Sequence, residues 1–236
     1  MKIIFFLTLS FLLVSKVFSQ ENSSNLYESD FTSTPTPIPL VTPNSTPGDA
    51  EYQNGLNATT PEDKFSFFQQ SANLGNPNGE AHLGDCYFCG VGTAVDYGEA
   101  LKWFRKSADK QNGYAECEVG ACYLEGRGTN KDYVSAVKWL NLSAHSGDPL
   151  GEDWLGGCYR DGTGVKKDYA KALNLFQKSA NQNDPQGEFD LGLCYYVASG
   201  TTKDYGEAVK WFQKSANQNN FCKRRSNSVT VGGPKV

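Results

Sequence analysis

The chain is poor in the residues from which many enzyme and metal sites are built. It has 2 His and 1 Met, the initiator. Two imidazoles leave little material for His-based acid–base chemistry or for a His-rich metal site. A basic excess is also missing: 22 Lys and Arg stand against 26 Asp and Glu, a formal charge of −4. Nucleic-acid-binding domains usually carry the opposite balance, so no nucleic-acid partner is expected. Apart from the first residues there is no long apolar run, and hydrophobic residues make up 39% with a mean hydropathy of −0.51. One large buried core is therefore not expected. Glycine and cysteine, by contrast, are plentiful at 24 and 7. Seven thiols cannot all pair within one chain.

The N-terminus reads as two segments in front of the main body. Lys2 and the apolar run Ile3 to Val14, followed by Val17-Phe18-Ser19, fit a signal peptide over 1–19 with cleavage before Gln20. The run is short for a membrane span, which needs roughly 20 apolar residues. Export is expected, to the periplasm or the outside of the cell, with no stable span after cleavage. Residues 20–60 are rich in Thr, Pro, Ser and Asn, including Thr34-Pro35-Thr36-Pro37. Such a stretch buries too little apolar surface to offset its ordering entropy, so a disordered linker is expected. It holds glycosylation sequons at Asn22, Asn44 and Asn57, and a fourth at Asn141 falls in an expected helix.

The strongest signal is internal repetition. Asp96-Tyr97 recurs as Asp132-Tyr133, Asp168-Tyr169 and Asp204-Tyr205, each 36 residues on. Gly84, Gly120, Gly156 and Gly192 keep that step, as do Tyr87, Tyr123, Tyr159 and Tyr195. The units are 79–114, 115–150, 151–186 and 187–222, after a half unit at 61–78 in which Phe67, Phe68, Ser71 and Ala72 match Trp103, Phe104, Ser107 and Ala108. Each unit reads as two helices. The first runs from about Gly79 to Cys89, and Gly90 and Gly92 end it. Asp96 caps the second, with Glu99 placed to complete a capping box, as Glu207 is for Asp204. Ala100, Trp103, Phe104 and Ala108 form its apolar face, and Lys102, Lys138 and Lys210 fall outside. Gly84 and its copies stand mid-helix, at a cost of about 1 kcal/mol each. Four such costs imply a helix–helix approach that a Cβ would block. In the fourth unit Ala198 replaces the first loop glycine, so a different helix end is expected there.

These residues resemble the Sel-1-like repeat family, a branch of the tetratricopeptide-like α-solenoids. The resemblance rests on the Leu-Gly-x-x-Tyr-x-x-Gly-x-Gly run of 83–92 and its copies, then Asp-Tyr-x-x-Ala-x-x-Trp-Phe-x-x-Ser-Ala, and covers about 61–222. It implies an all-α fold, a right-handed α/α solenoid superhelix of antiparallel helix pairs, that binds other proteins. Secreted cysteine-rich members pair cysteines across each hairpin, but here one column alone recurs: Cys86, Cys122, Cys158 and Cys194. Equivalent positions in stacked helices lie about 8–10 Å apart, beyond the ~7 Å reach of a disulfide, so a reduced ladder of small buried residues is expected. His82, Cys86 and Cys89 share a helix face at metal-ligand spacing, but Cys86 belongs to the repeat column, and no metal, cofactor or catalytic residue is assigned. Cys117 and Cys222 are left over, either able to bridge molecules. Weak hydrolase activity associated with some secreted relatives finds no motif here, and a regulatory subunit of an envelope or secretory-pathway complex is a further alternative.

A solenoid binds on the less constrained positions of one helix layer. In the first helices these are His82, Glu118, Trp154 and Asp190; Asp85 with Ala121, Gly157 and Leu193; Phe88, Leu124, Arg160 and Tyr196; and Cys89, Glu125, Asp161 and Val197. Acids and aromatics together suit a basic or apolar segment of a partner protein. After Phe221 the helical pattern stops, and Lys223-Arg224-Arg225 opens a basic tail, 223–236, expected to be disordered. The last repeat would then expose an apolar end, open to self-association.

Overall fold

The computed structural model describes residues 45–218, and within them all the regular structure is helical. The signal-peptide reading, most of the expected linker and the basic tail lie outside these residues. Ten helices follow one another: α1 Asp49–Asn57, α2 Pro61–Asn73, α3 Pro77–Cys89, α4 Tyr97–Ala108, α5 Gly113–Glu125, α6 Tyr133–His145, α7 Pro149–Asp161, α8 Tyr169–Asn181, α9 Pro185–Val197 and α10 Tyr205–Asn217. Odd-numbered helices are the first members of each hairpin and even-numbered ones the second. Each packs on its chain neighbours to form an α/α solenoid. First helices of successive hairpins also touch, α1 with α3, α5 with α7 and α7 with α9. Among the described residues no pair of second helices makes a comparable contact. The first helices are therefore the tighter, inner layer.

The first helices begin two residues earlier than the apolar spacing indicates. Asn76, Asn112, Asp148 and Asp184 cap them, accepting from the backbone N–H groups of Gly79, Ala115, Gly151 and Gly187. Pro77, Pro149 and Pro185 occupy the first helical turn, where a missing N–H costs nothing. The stretch read as linker up to residue 60 contains α1, which packs on α2 to make a full hairpin where half a unit was expected. Its sequon residue Asn57 ends α1 exposed; Asn141 is also exposed, but its Nδ2 donates to Val137 O at 2.8 Å within α6.

The second helices start at the aspartates as expected, but the capping box is not closed. Glu99 pairs with Lys102 at 2.5 Å, and Glu207 does the same with Lys210. The N–H of the capping aspartate goes elsewhere. Asp96 donates to Tyr87 O, Asp132 to Tyr123 O, Asp168 to Tyr159 O and Asp204 to Tyr195 O, at 2.9 to 3.0 Å. The tyrosine column thus ties each connecting loop back to the helix it leaves.

Gly90, Gly126 and Gly162 end their helices in the left-handed region, at φ 72° to 75°. Ala198 takes the same conformation at φ 62°, and its N–H still reaches Cys194 O. The different ending expected for the fourth unit is not found: the loop imposes the turn and the alanine bears the strain.

The mid-helix glycines mark the close approach inferred from their cost. A Cβ on Gly84 would stand 2.6 Å from the Phe104 ring, and one on Gly120, Gly156 or Gly192 would meet Leu140, Phe176 or Phe212 at 2.7 to 2.8 Å. Phe104, Leu140 and Phe176 are fully buried, each worth about 1.5–3 kcal/mol of apolar transfer. Two polar ladders recur along the hairpins. Ser71, Ser107, Ser143 and Ser215 donate to the carbonyls of Gly48, Pro77, Gly113 and Pro185 at 2.6 to 2.7 Å. The buried Glu80, Glu116, Glu152 and Glu188 accept from Lys110, Ser146, Gln182 and Gln218, each 30 residues on.

The cysteine column lies between hairpins. Cys86 packs with Phe68 and Ala72 of the preceding second helix, and Cys122, Cys158 and Cys194 repeat the arrangement. All six described cysteines are free thiols. Burial pushes Cys86 up to about 12 and Cys158 and Cys194 up to about 11. Cys117 is fully buried as well, which closes it to bridging between folded molecules; Cys222 lies outside the described residues.

Candidate functional site: the first-helix layer

On α3 positions 82 and 89 stand within about 20° of each other round the helix, 85 about 60° and 88 about 120° from 82. The structure divides the sequence-selected rows along that line. Phe88 packs between Tyr97 and Phe104 of its own second helix, with the Arg127 guanidinium over its ring. Arg160 stands over Phe176, and Tyr196 lies 5.5 Å from Tyr205. Phe88 and Tyr196 thus belong to the joint between first and second helices, while Arg160 also reaches Asp190 of the next first helix.

The other rows do line the inner layer, with uneven access. His82 sits in an aromatic group, 5.2 Å from Tyr52, 5.1 Å from Phe68 and 6.1 Å from Tyr114. Its Nδ1 is 3.1 Å from Asn78 O, and it is spent on joining α1, α2, α3 and α5. Asp85 accepts from the Tyr114 hydroxyl at 2.7 Å, from α3 to α5. Glu125 pairs with Arg127 at 2.8 Å. Cys89 is exposed among these groups; partial burial, then the charges of Asp85 and Glu118, raise its thiol. Asp85, Glu118, Glu125 and Cys89 thus form one acidic neighbourhood on α3 and α5, with Arg127 the opposing charge. Trp154 is half-buried against the core around Leu155 and Cys158.

Asp190 departs most from the expected surface. It is 7% exposed and receives Arg160 Nη1 at 2.8 Å and Gln186 Nε2 at 2.7 Å. Arg160 also holds the exposed Asp161 at 3.0 Å. Behind Asp190 stands Asp153, equally buried and within hydrogen-bonding reach of it. Burial raises Asp153 well above the usual carboxylate range, and the charges of Asp190 and Asp184 add to this. Asp190 is raised too, by burial, but Gln186 and Arg160 oppose the rise. The two carboxyls titrate as a pair, with burial favouring the protonated form of both and most strongly of Asp153. Sequence reasoning passed over Asp153, although a signal was available: its column reads Ala81, Cys117, Asp153, Phe189, one acid among small and apolar residues. Tyr114 and Arg127 were missed for a different reason, since their roles depend on neighbours about 30 residues away or across a loop, whereas Gln186 stands one helical turn before Asp190 and was within reach of spacing.

On the opposite side, Asn141, Leu155, Tyr159, Lys171 and Leu175 line a shallow groove of about 450 Å³. Lys166 and Lys167 border its continuation. No group of three His, Cys, Asp or Glu among the described residues is placed to hold a metal ion. None of the helices described is long and apolar enough to cross a membrane.

Four successive matches to the Sel1 repeat, at 77–112, 113–148, 150–184 and 185–220, account for more than half of the chain, which belongs to the Sel1 repeat family. Repeat solenoids of this family are protein–protein interaction scaffolds. A Sel1 repeat protein from Oxalobacter formigenes is similar at 30% identity and a TM-score of 0.66, over 77% of this chain and 75% of that one. A protective antigen present in uropathogenic Escherichia coli strains, with the same fold, is 32% identical at a TM-score of 0.62. That likeness covers 73% of this chain but 38% of the antigen. A sel1 repeat protein from Klebsiella pneumoniae subsp. pneumoniae, 22% identical at a TM-score of 0.56, covers 66% of this chain and 74% of that one and shares the fold. Among curated proteins none matches the chain.

Proposed function

We propose that the protein is an exported scaffold or adaptor that holds a basic or apolar segment of a partner protein on its first-helix layer. The observation that carries this reading is the concentration of acids on that layer. Glu125 pairs there with Arg127 and Asp161 with Arg160, in the same helix layer as Asp85, Glu118 and the half-buried Trp154. Half-buried aromatics rimmed by charge are common binding anchors. The secretory pattern of residues 1–19 supports export, and the E. coli relative is described as a protective antigen. The buried Asp153–Asp190 pair supports a structural role at the joint between α7 and α9.

The test is quantitative capture of partners from the native host by wild type, Trp154→Ala, Glu118→Lys and an outer-face control, Lys138→Glu. The two inner-layer changes are expected to weaken binding of the main captured partner about tenfold, or ~1.4 kcal/mol, and the control to leave it unchanged. Equal binding by all four proteins would remove the inner layer from the function.

A further inference from the structure

The last helix carries an unfilled version of a contact made at every earlier joint. In α4 the face Leu101, Phe104 and Ala108 is covered by α5 through Ala115, Val119 and Cys122, with Tyr97 exposed at its edge. The equivalent face of α10 is Tyr205, Val209, Phe212 and Ala216. Leu101 and Val137 are 5% and 6% exposed, whereas Val209 is 51% exposed. Phe104 and Leu140 are sealed, whereas Phe212 is only half-buried, held on one side by Phe189 and Gly192. Among the described residues nothing packs over this strip.

We propose that a second copy of the chain fills it, with the two α10 helices packed antiparallel about a two-fold axis. Three observations select this occupant. The first is spacing: steps of four, three and four along Tyr205, Val209, Phe212 and Ala216 make the apolar seam of a helix pair. The second is charge. Of the positions flanking the seam, Gly206 and Gln213 are exposed and uncharged and Ala208 and Ser215 are buried against α9, so two copies meet without like charges in contact. Glu207, Lys210 and Lys214 lie away from the seam, and Lys210 and Lys214 are engaged with Glu207 at 2.5 Å and Glu188 at 3.0 Å.

The third is the character of the other end. The outward residues of α1 are Ala50, Gln53, Asn54 and Asn57, all exposed and mostly polar. That surface is a poor match for an apolar seam, which disfavours head-to-tail stacking. A face that meets its own copy closes after two molecules.

Sedimentation velocity of the full chain over about a hundredfold range of concentration tests this, since mass action must show in the mass. A rise from one chain mass to two, with no larger species, is expected. Val209→Lys should weaken dimerisation at least tenfold with helix content unchanged. Gln213→Glu, an exposed change that does not touch the fold, should weaken it at low salt and recover at high salt. Lys210→Glu should have no effect. A monomer at every concentration, a series growing past two, or a dimer indifferent to both seam variants would each overturn the proposal.

Discussion

Ala198 shows what a single side chain can cost in a structure governed by repetition. Its φ of 62° matches the glycines of the other units, and only its methyl group differs. Ala198→Gly is expected to stabilise the protein by about 1 kcal/mol, read as a shift in urea midpoint without a change in slope. The opposite change at Gly156 should be harmful. Its Cβ would stand 2.7 Å from the buried Phe176 ring, so Gly156→Ala is expected to cost about 1–3 kcal/mol despite the better helix propensity of alanine. A neutral or stabilising result would mean that the helix pair can part without loss. At this scale the sequence was highly legible. The mid-helix glycines announced their close contacts because nothing else repays their cost. Ala198 misled because the helix end is dictated by the loop tie from Asp204 to Tyr195 as well as by the residue at the turn.

Among the elements, α7 and α9 carry the clearest pH dependence. Asp153 titrates well above its ordinary 3.8 in the fold because it is buried beside Asp190 and Asp184. An acid raised by folding contributes fully below its unfolded value and loses that contribution as pH rises toward its folded value. The stability of the native protein should therefore fall as pH climbs above about 3.8, through this pair. Asp153→Asn keeps a donor for the Asp190 carboxylate and removes the proton. Its melting temperature should equal that of wild type in acid and exceed it increasingly toward neutral pH. Parallel melting curves between pH 4 and pH 9 would show that the two carboxyls do not titrate as a pair. The element boundaries explain why this pair was illegible. Periodicity places Asp153 on α7 and Asp190 on α9, but their meeting depends on the contact between those two first helices, which no single repeat encodes. The extra helix α1 was hidden for a related reason: its Gly55 packs on Phe68 outside the 36-residue register.

For the molecule as a whole, the thiols report how tightly the hairpins are stacked. Cys86, Cys117, Cys122, Cys158 and Cys194 are buried, and Cys89 alone of the described thiols is exposed. A thiol reagent at neutral pH is expected to modify Cys89 slowly, because its thiol is raised, and to reach the buried five only on unfolding. Mass spectrometry of the native protein checks this; rapid labelling of the column would mean that the joints open often. The array and its family were legible from spacing alone, since helix pairs of one length must bury one face in the same way each time. The inner surface was legible only in part. Spacing placed Asp85, Glu118, Glu125 and Trp154 on the first-helix layer, but it grouped Phe88 and Tyr196 with them although those side chains face the second helices.

The pairing of each mid-helix glycine with a large side chain also bears on how such an array can change in length. Gly84 and Phe104, Gly120 and Leu140, Gly156 and Phe176, and Gly192 and Phe212 are partners inside one hairpin, as are each tying glutamate and its partner 30 residues on. A segment of 36 residues therefore carries both the notch and the side chain that fills it. Duplicating or losing such a segment keeps every notch with its own filler, whereas an insertion of any other length inside a hairpin separates them. Growth by whole copies is the route this architecture leaves open to inheritance.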